Sequence, residues 1–217
     1  MAEWHPAFEE YCETIFELAE DDIRVVQARI AERLDVSRPS VSEMMKRMAL
    51  EGLIAINGTV ISLTPSGLAL AERVVRRHRL AERFMVDMLG LSWTVAHQEA
   101  GKWEHVISDQ VEDAMMRVLG DPTTCPHGNP IPGSAYLAPD TITLSQVAVG
   151  DGFQVERIPE ALEFAEGVLQ YLEDVHLLPG STGVVRAAAP DGTVTVEIDG
   201  RTVGVGQYAS ARILVSA

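Results

Sequence analysis

His78 and Glu82 stand four residues apart, so on a helix they project from the same face. Further along come His97, Glu104 and His105. At about 100° per residue, a helix places His97 within about 20° of Glu104, and position 101 within about 40° of His105. One helix then presents two adjacent stripes, His97/Glu104 and Gly101/His105. Imidazoles and carboxylates at such spacing on consecutive helices are how two facing helices hold a divalent cation. A lone buried histidine is ordinarily a satisfied core residue. Three His and two Glu converging on two helices point instead to a metal centre.

The elements that must position these residues follow from apolar spacing. Phe8, Tyr11, Cys12, Ile15, Phe16 and Leu18 predict a helix from Pro6 to Ala19, with Glu9, Glu10, Glu13 and Glu17 between them. A short helix over Val25 to Leu34 and a second over Pro39 to Glu51 flank a tight connection. Ser37 there is a candidate N-cap, and Gly52 is the stop. Strands Leu53–Ile56 and Val60–Leu63 join through Asn57-Gly58, a hairpin signal. Helix, turn, helix and hairpin outline a winged helix-turn-helix. Thr64-Pro65-Ser66 opens a long helix to about Leu89, and another is expected from Thr94 to Leu119. Residues 121–141 form a Pro/Gly-rich segment, a linker or an ordered loop. From 142 to 217, short strand patterns with one inserted helix, Glu160 to Glu173, suggest a small β-barrel. The fold class is therefore α+β, divided as 1–73, 74–120, 121–141 and 142–217. The apolar set Leu80, Phe84, Met88, Val111 and Met115 suggests a face for a homodimer.

The chain has 217 residues, 47% hydrophobic and 23% charged, which excludes wholesale disorder. No apolar run approaches a membrane span, no secretory leader is expected, and Cys12 and Cys125 are too few for a disulfide framework. A cytoplasmic protein is expected. Cys12 reads as a small buried residue and Cys125 as a loop thiol, while His5, His127 and His176 have no partner by spacing. The net charge of −15 argues at first against nucleic acid. Yet Ile23 to Arg83 holds 11 of the 17 Lys and Arg and 6 of the 32 Asp and Glu, a local balance of +5 against −20 elsewhere. That is a basic footprint on an acidic protein.

Several motifs make the chain recognisable. Arg77-His78-Arg79-Leu80-Ala81-Glu82-Arg83, His97-x-Glu99-Ala100-x-x-Trp103-Glu104-His105-Val106-x-Ser108 and Gly128-Asn129-Pro130-Ile131-Pro132-Gly133 resemble the diphtheria-toxin-repressor family of iron-dependent regulators. Ala31-Glu32-Arg33-Leu34 and Ser37-x-Pro39-x-Val41-Ser42 extend the resemblance through the helix-turn-helix, and the C-terminal part shares it more weakly. The resemblance implies a dimeric repressor of metal-homeostasis genes that binds a double-stranded DNA operator when loaded with Fe²⁺ or Mn²⁺. Its three parts are the winged helix-turn-helix, a helical dimerisation and metal domain, and an SH3-like β-barrel. No membrane partner and no organic cofactor are implied.

Two metal sites per subunit follow from the resemblance. An ancillary site takes His78, Glu82 and His97 with Glu160 and Glu163, where Glu163 replaces a family amide. A primary site takes Glu104 and His105 with a first-helix side chain and position 101. Iron-type members have Met on the first helix and Cys at 101, where this chain has Glu10 and Gly101. Manganese-type relatives use two first-helix carboxylates at the spacing of Glu10 and Glu13, and a Glu at position 101. Gly101 offers only its carbonyl or room for water. Losing sulfur and gaining carboxylate favours hard, octahedral ions.

In the helix-turn-helix, Ser37, Arg38, Pro39, Ser40, Ser42 and Glu43 are expected nearest the base edges, with Arg29, Lys46 and Arg47 on phosphates. Glu43, where the family commonly has Gln, can accept from cytosine N4 but repels phosphate. A metallohydrolase would need a substrate cleft and a general base, and no nucleophile motif or phosphate loop is present. A winged-helix regulator of an organic ligand, with the His/Glu set as polar core, is the other alternative.

Overall fold

A computed structural model describes residues 6–217; His5 lies outside them. Helix α1 (Pro6–Glu20) buries Phe8, Tyr11, Cys12, Ile15 and Leu18 against α2 (Gln27–Arg33) and α3 (Arg38–Leu50). Ser37 caps α3, its hydroxyl accepting from the Ser40 amide at 3.3 Å, and Pro39 is tolerated in the first turn. Strands β1 (Ile54–Asn57) and β2 (Val60–Leu63) pair with Asn57 opposite Val60. The wing's turn is therefore Gly58-Thr59, one residue later than the Asn57-Gly58 signal suggests, with Gly58 supplying φ +62°.

Helix α4 (Pro65–Leu89) starts under the Thr64 cap and ends at left-handed Gly90. At about 1.5 Å per residue it spans roughly 37 Å, enough to reach from the N-terminal core to the C-terminal domain. The helix expected from Thr94 to Leu119 is two helices, α5 (Trp93–Trp103) and α6 (Asp109–Leu119). Ser108 caps α6 and Asp109 and Glu112 occupy its first turn, a start signal inside what periodicity reads as one helix. Glu104 and His105 therefore sit in the turn that leaves α5, not on a continuous helix.

The C-terminal domain contains β3 (Ile142–Thr143), β4 (Gly152–Arg157), α7 (Glu160–Glu163), α8 (Val168–Asp174), β5 (Thr182–Ala188), β6 (Val194–Ile198), β7 (Arg201–Val205), α9 (Gln207–Ser210) and β8 (Leu214–Ser216). Its strands form one antiparallel sheet in the order β3-β8-β4-β5-β6-β7. Among the described residues β3 and β7 do not pair, so the expected barrel stays an open, bulged sheet. The single helix expected from Glu160 to Glu173 is interrupted at left-handed Gly167.

Segment 121–141 is tied down rather than free. Cys125 to Asn129 and Ile131 are buried, and Arg76 and Arg79 of α4 donate to the carbonyls of Pro132 and Pro130. Gly128 has φ +86°, and a Cβ there would lie 2.3 Å from the Glu156 carbonyl oxygen. Only glycine fits so close a backbone approach. Arg79, fully buried, also pairs with Glu20 of α1 and Glu160 of α7, joining all three parts of the chain. No helix among the described residues is long and apolar enough to cross a membrane.

Candidate metal centre and nucleic-acid interface

The i, i+4 pair on α4 is buried and in contact, His78 Nε2 lying 3.2 Å from Glu82 Oε1. His97 of α5 brings Nδ1 to 2.9 Å from Glu82 Oε1 and 3.2 Å from Glu163 Oε2 of α7. Asn129 of the Gly-Asn-Pro-Ile-Pro-Gly segment holds Glu163 by donating to Oε1 at 2.5 Å and donates to the Ile158 carbonyl at 3.0 Å. That motif fixes a carboxylate 34 residues away. Glu160 enters the same neighbourhood, but its Oε1 is taken by Arg79, leaving Oε2 alone to face the cluster.

Two residues without a partner by sequence spacing join the cluster. His127, fully buried, places Nδ1 at 2.9 Å from Glu163 Oε2 and 3.6 Å from Glu82 Oε1. Cys125 Sγ lies 3.7 Å from the same nitrogen. Glu163 Oε2 has no hydrogen-bond partner despite these approaches. Close contact without a hydrogen bond marks donors arranged around something else. The Cys-Pro-His-Gly run preceding Asn129 was the available signal, a thiol and an imidazole two residues apart.

The second cluster shares His78. Its Nδ1 is 2.5 Å from Glu104 Oε2 and 3.9 Å from Glu13 Oε1. His105 Nε2 lies 3.2 Å from Glu104 Oε1, while its Nδ1 faces Glu9, at 2.8 Å, rather than Glu10. Glu9 is buried and also accepts from Arg73 at 3.1 Å. Glu10 is exposed, lining with Glu13, Glu17, Glu104 and Gly101 a cavity of about 340 Å³. A Cβ at Gly101 would meet nothing within 4 Å, so this position leaves space where a side chain would stand.

The charges are mutually strained. Burial, then the neighbouring Glu104 and Glu17 charges, pushes the Glu13 carboxyl well up. Burial and the Glu163 charge lift Glu160 to about 7. Burial opposes ionisation of Glu163, but the charge of His127 and the close approach of the His97 and His127 imidazoles hold it down to about 2. Burial alone would drive His97 down; Glu163 and Glu82 outweigh it and raise it to about 10. Cys125 is pushed up to about 11 by burial and the Glu82 charge.

On the other face, Ser37, Arg38, Pro39, Ser40, Glu43, Lys46 and Arg47 are exposed and Ser42 is half-buried. The Ser37 hydroxyl is committed to its cap and to Ser40 Oγ at 2.8 Å. Arg29 pairs with Glu32 at 2.9 Å on the exposed surface, and the Arg47 guanidinium stands 5.3 Å from the Phe8 ring centroid. The expected dimer face divides. Leu80 and Met115 are buried within the chain and Phe84 packs against the cluster that holds Met115, whereas Met88 and Val111 are exposed with Leu89 and Val118.

Three family models cover the chain. Those described as iron dependent repressor, N-terminal DNA binding domain, and iron dependent repressor, metal binding and dimerisation domain, match residues 5–59 and 64–133. A FeoA domain model matches residues 142–217. The iron-dependent repressor IdeR of Mycobacterium tuberculosis is 39% identical over 204 residues, 88% of either chain. The diphtheria toxin repressor of Corynebacterium diphtheriae is 36% identical over 205 residues, 90% of either chain. A manganese-dependent transcriptional repressor solved in complex with manganese superposes with a TM-score of 0.86 at 33% identity, over 97% of this chain and 99% of that one. The manganese regulator SloR gives 0.76 at 31%, over 96% and 97%.

Proposed function

The chain belongs to the iron-dependent repressor family of metal-dependent, DNA-binding transcriptional repressors, and on that premise we propose that it binds its operator as a homodimer when both buried clusters hold Mn²⁺ or Fe²⁺. One observation carries the reading. Glu13 Oε1, Glu82 Oε2, Glu160 Oε2, Glu163 Oε2 and His127 Nε2 are all buried without a hydrogen-bond partner. A buried polar group left unpaired costs about 1–3 kcal/mol, more when charged. The four carboxylate oxygens belong to the two connected clusters and form a donor set suited to a cation.

The ancillary set is His78, Glu82, His97 and Glu163, widened by His127 and Cys125, with the free oxygen of Glu160 at its edge. The primary set is Glu13, Glu104 and the shared His78, with His105 Nε2 beside Glu104, Glu10 at the cavity rim and the Gly101 backbone beside it. Oxygen and imidazole nitrogen outnumber the single thiol, which suits the harder ions of the first transition row. A bound divalent cation supplies the positive charge these carboxylates lack. Glu13 lies on α1, whose apolar face carries α2 and α3; Glu104 lies at the end of α5. Holding the two together fixes the reading head against the dimerisation helices, and the difference in cation affinity between fixed and loose arrangements shifts the population.

In this reading α3 enters the major groove, with Ser40, Ser42 and Glu43 toward base edges and Lys46 and Arg47 on phosphates. The protein acts in the cytoplasm, without organic cofactor and without catalysis. The cavity carries five carboxylates on its wall, Glu10, Glu13, Glu17, Glu104 and Glu163, a lining that attracts a cation.

Operator binding measured in chelated buffer and with Mn²⁺ or Fe²⁺ tests the reading. Glu13→Ala and His105→Ala abolish the metal response, and Glu163→Ala raises the metal concentration required. Glu10→Ala decides whether the rim carboxylate is a ligand. Equal operator affinity with and without metal in the unaltered protein overturns the proposal.

A further inference from the structure

Phe164 directly follows Glu163 at the C-terminal end of α7 and is 51% exposed, and it belongs to none of the three apolar cores. Its ring is nevertheless held by two polar neighbours. His97 meets it edge-to-face, with centroids 5.3 Å apart and planes at 88°. The Arg33 guanidinium stands 4.3 Å from the ring centroid. Arg33 is the last residue of α2, just ahead of the Ser37 cap of the reading helix. It is anchored in turn by Glu17 of α1 at 3.0 Å, and both side chains are more than nine-tenths buried.

The same ring lines three cavities. One is the cavity over Glu13 and Glu104, another lies between α5 and the α7–α8 connection, and the third separates α2 from the C-terminal domain. Phe164 thus stands where the metal cluster, the helix-turn-helix and the C-terminal domain meet. An aromatic face attracts a guanidinium and an aromatic edge through its quadrupole, and both contacts depend on where the ring is set. The preceding residue, Glu163, is a member of the cluster and approaches the same His97 that meets the ring.

We propose that Phe164 is a positioning residue that couples the ancillary cluster to the helix-turn-helix: cation capture by His97 and Glu163 fixes its ring, and the ring fixes the end of α2 through Arg33. This rests on the reading that the cluster holds a divalent cation. With the cluster empty, α7 is held by the Arg79–Glu160 pair, the Asn129–Glu163 hydrogen bond and the Asp21 carboxylate on the Ala161 amide; with it filled, a cation shared by Glu163 and His97 adds a tie beside the platform under Arg33. Differential contact of this kind is what transmits binding at one site to another.

The test uses the full chain and three readouts: Mn²⁺ affinity by calorimetry, operator affinity at saturating Mn²⁺, and hydrogen exchange over residues 27–37 with and without Mn²⁺. Phe164→Ala and Phe164→Leu are expected to bind Mn²⁺ within about threefold of the unaltered protein. They lose about tenfold in operator affinity, a typical size for coupling between sites. The Mn²⁺-induced protection of residues 27–37 disappears in both, while Phe164→Tyr retains it. Unchanged operator affinity and protection in Phe164→Ala overturn the proposal. Phe164→Leu behaving like the unaltered protein also overturns it, because burial alone then suffices. A tenfold loss of Mn²⁺ affinity with full operator affinity at saturation makes the ring a wall of the metal site and overturns coupling. If the unaltered protein shows no Mn²⁺ response, the metal reading itself fails, and that outcome is visible without any variant.

Discussion

His78 and Glu104 stand 2.5 Å apart, Nδ1 to Oε2, while the other nitrogen of the same imidazole faces Glu82 at 3.2 Å. One side chain of α4 is the wall between the two clusters. Its removal is expected to injure both. His78→Ala leaves Glu104 and Glu82 buried without it, a loss of about 3 kcal/mol in metal-free stability by analogy with broken buried pairs. The metal bound per subunit also falls, and operator binding is lost with either ion. Denaturant melts and metal analysis after dialysis check both parts; full stoichiometry in His78→Ala excludes the shared role.

Metal-free stability is expected to fall as pH rises from about 5 to 8. Glu160, raised to about 7 by burial and Glu163, and His97, lifted to about 10 against burial by Glu163 and Glu82, both hold protons in the folded state that the unfolded state has released. Where the folded state binds more protons, stability decreases with pH. For His97 the stabilisation is whole below its ordinary value of 6.5 and fades as pH climbs towards about 10. Glu163, held to about 2, changes charge only below this window. Mn²⁺ competes with these protons, so the rise in Tm that it causes grows over the same range. Melting curves at three pH values, with chelator and with Mn²⁺, test the sign. A metal-free Tm that rises with pH contradicts it.

Gly128→Ala is expected to cost at least about 2 kcal/mol, through a strained left-handed backbone and a methyl forced against a carbonyl. The Cβ would lie 2.3 Å from the Glu156 oxygen. Because Asn129 next door orients Glu163, the metal requirement for operator binding should rise as well. Gly133→Ala is the comparison: φ is +74°, but the nearest atom is a flexible Arg76 nitrogen at 3.8 Å, so only the backbone term of about 1 kcal/mol applies. Equal metal requirements in the two variants rule out the link to Glu163.

Val118→Asp on the exposed face of α6 is expected to leave a monomer at micromolar concentration and remove operator binding, with metal binding retained. Val111 and Val118 lie seven apart on that helix, 46% and 57% exposed, while Met115 between them points into the chain's own core. Sedimentation of the metal-loaded variant reads the result directly. A dimer with operator affinity intact moves the interface elsewhere.

Local spacing made much of this protein legible. The Ser37 cap, the turn before α3, the wing and the long α4 all follow from signals within a few residues. The His78/Glu82 pair follows from the 3.6-residue turn, which puts i and i+4 together in any fold. The break between α5 and α6 was also local, written in Ser108, Asp109 and Glu112, but the continuing apolar period masked it. Tertiary structure alone decided the rest. Cys125 and His127 lie in a segment with no period, and their approach to Glu82 and Glu163 spans about 35 to 45 residues of chain. Leu80 and Met115 have the pattern of an outer face, yet both are buried within the chain, Met115 in the cluster where α4, α5 and α6 meet. The choice between Glu9 and Glu10 as the neighbour of His105 turned on about 100° of helix rotation, set by which face of α1 the apolar core claims. Sequence periodicity fixes which residues share a face; only the packing of helices and sheet determines which faces meet.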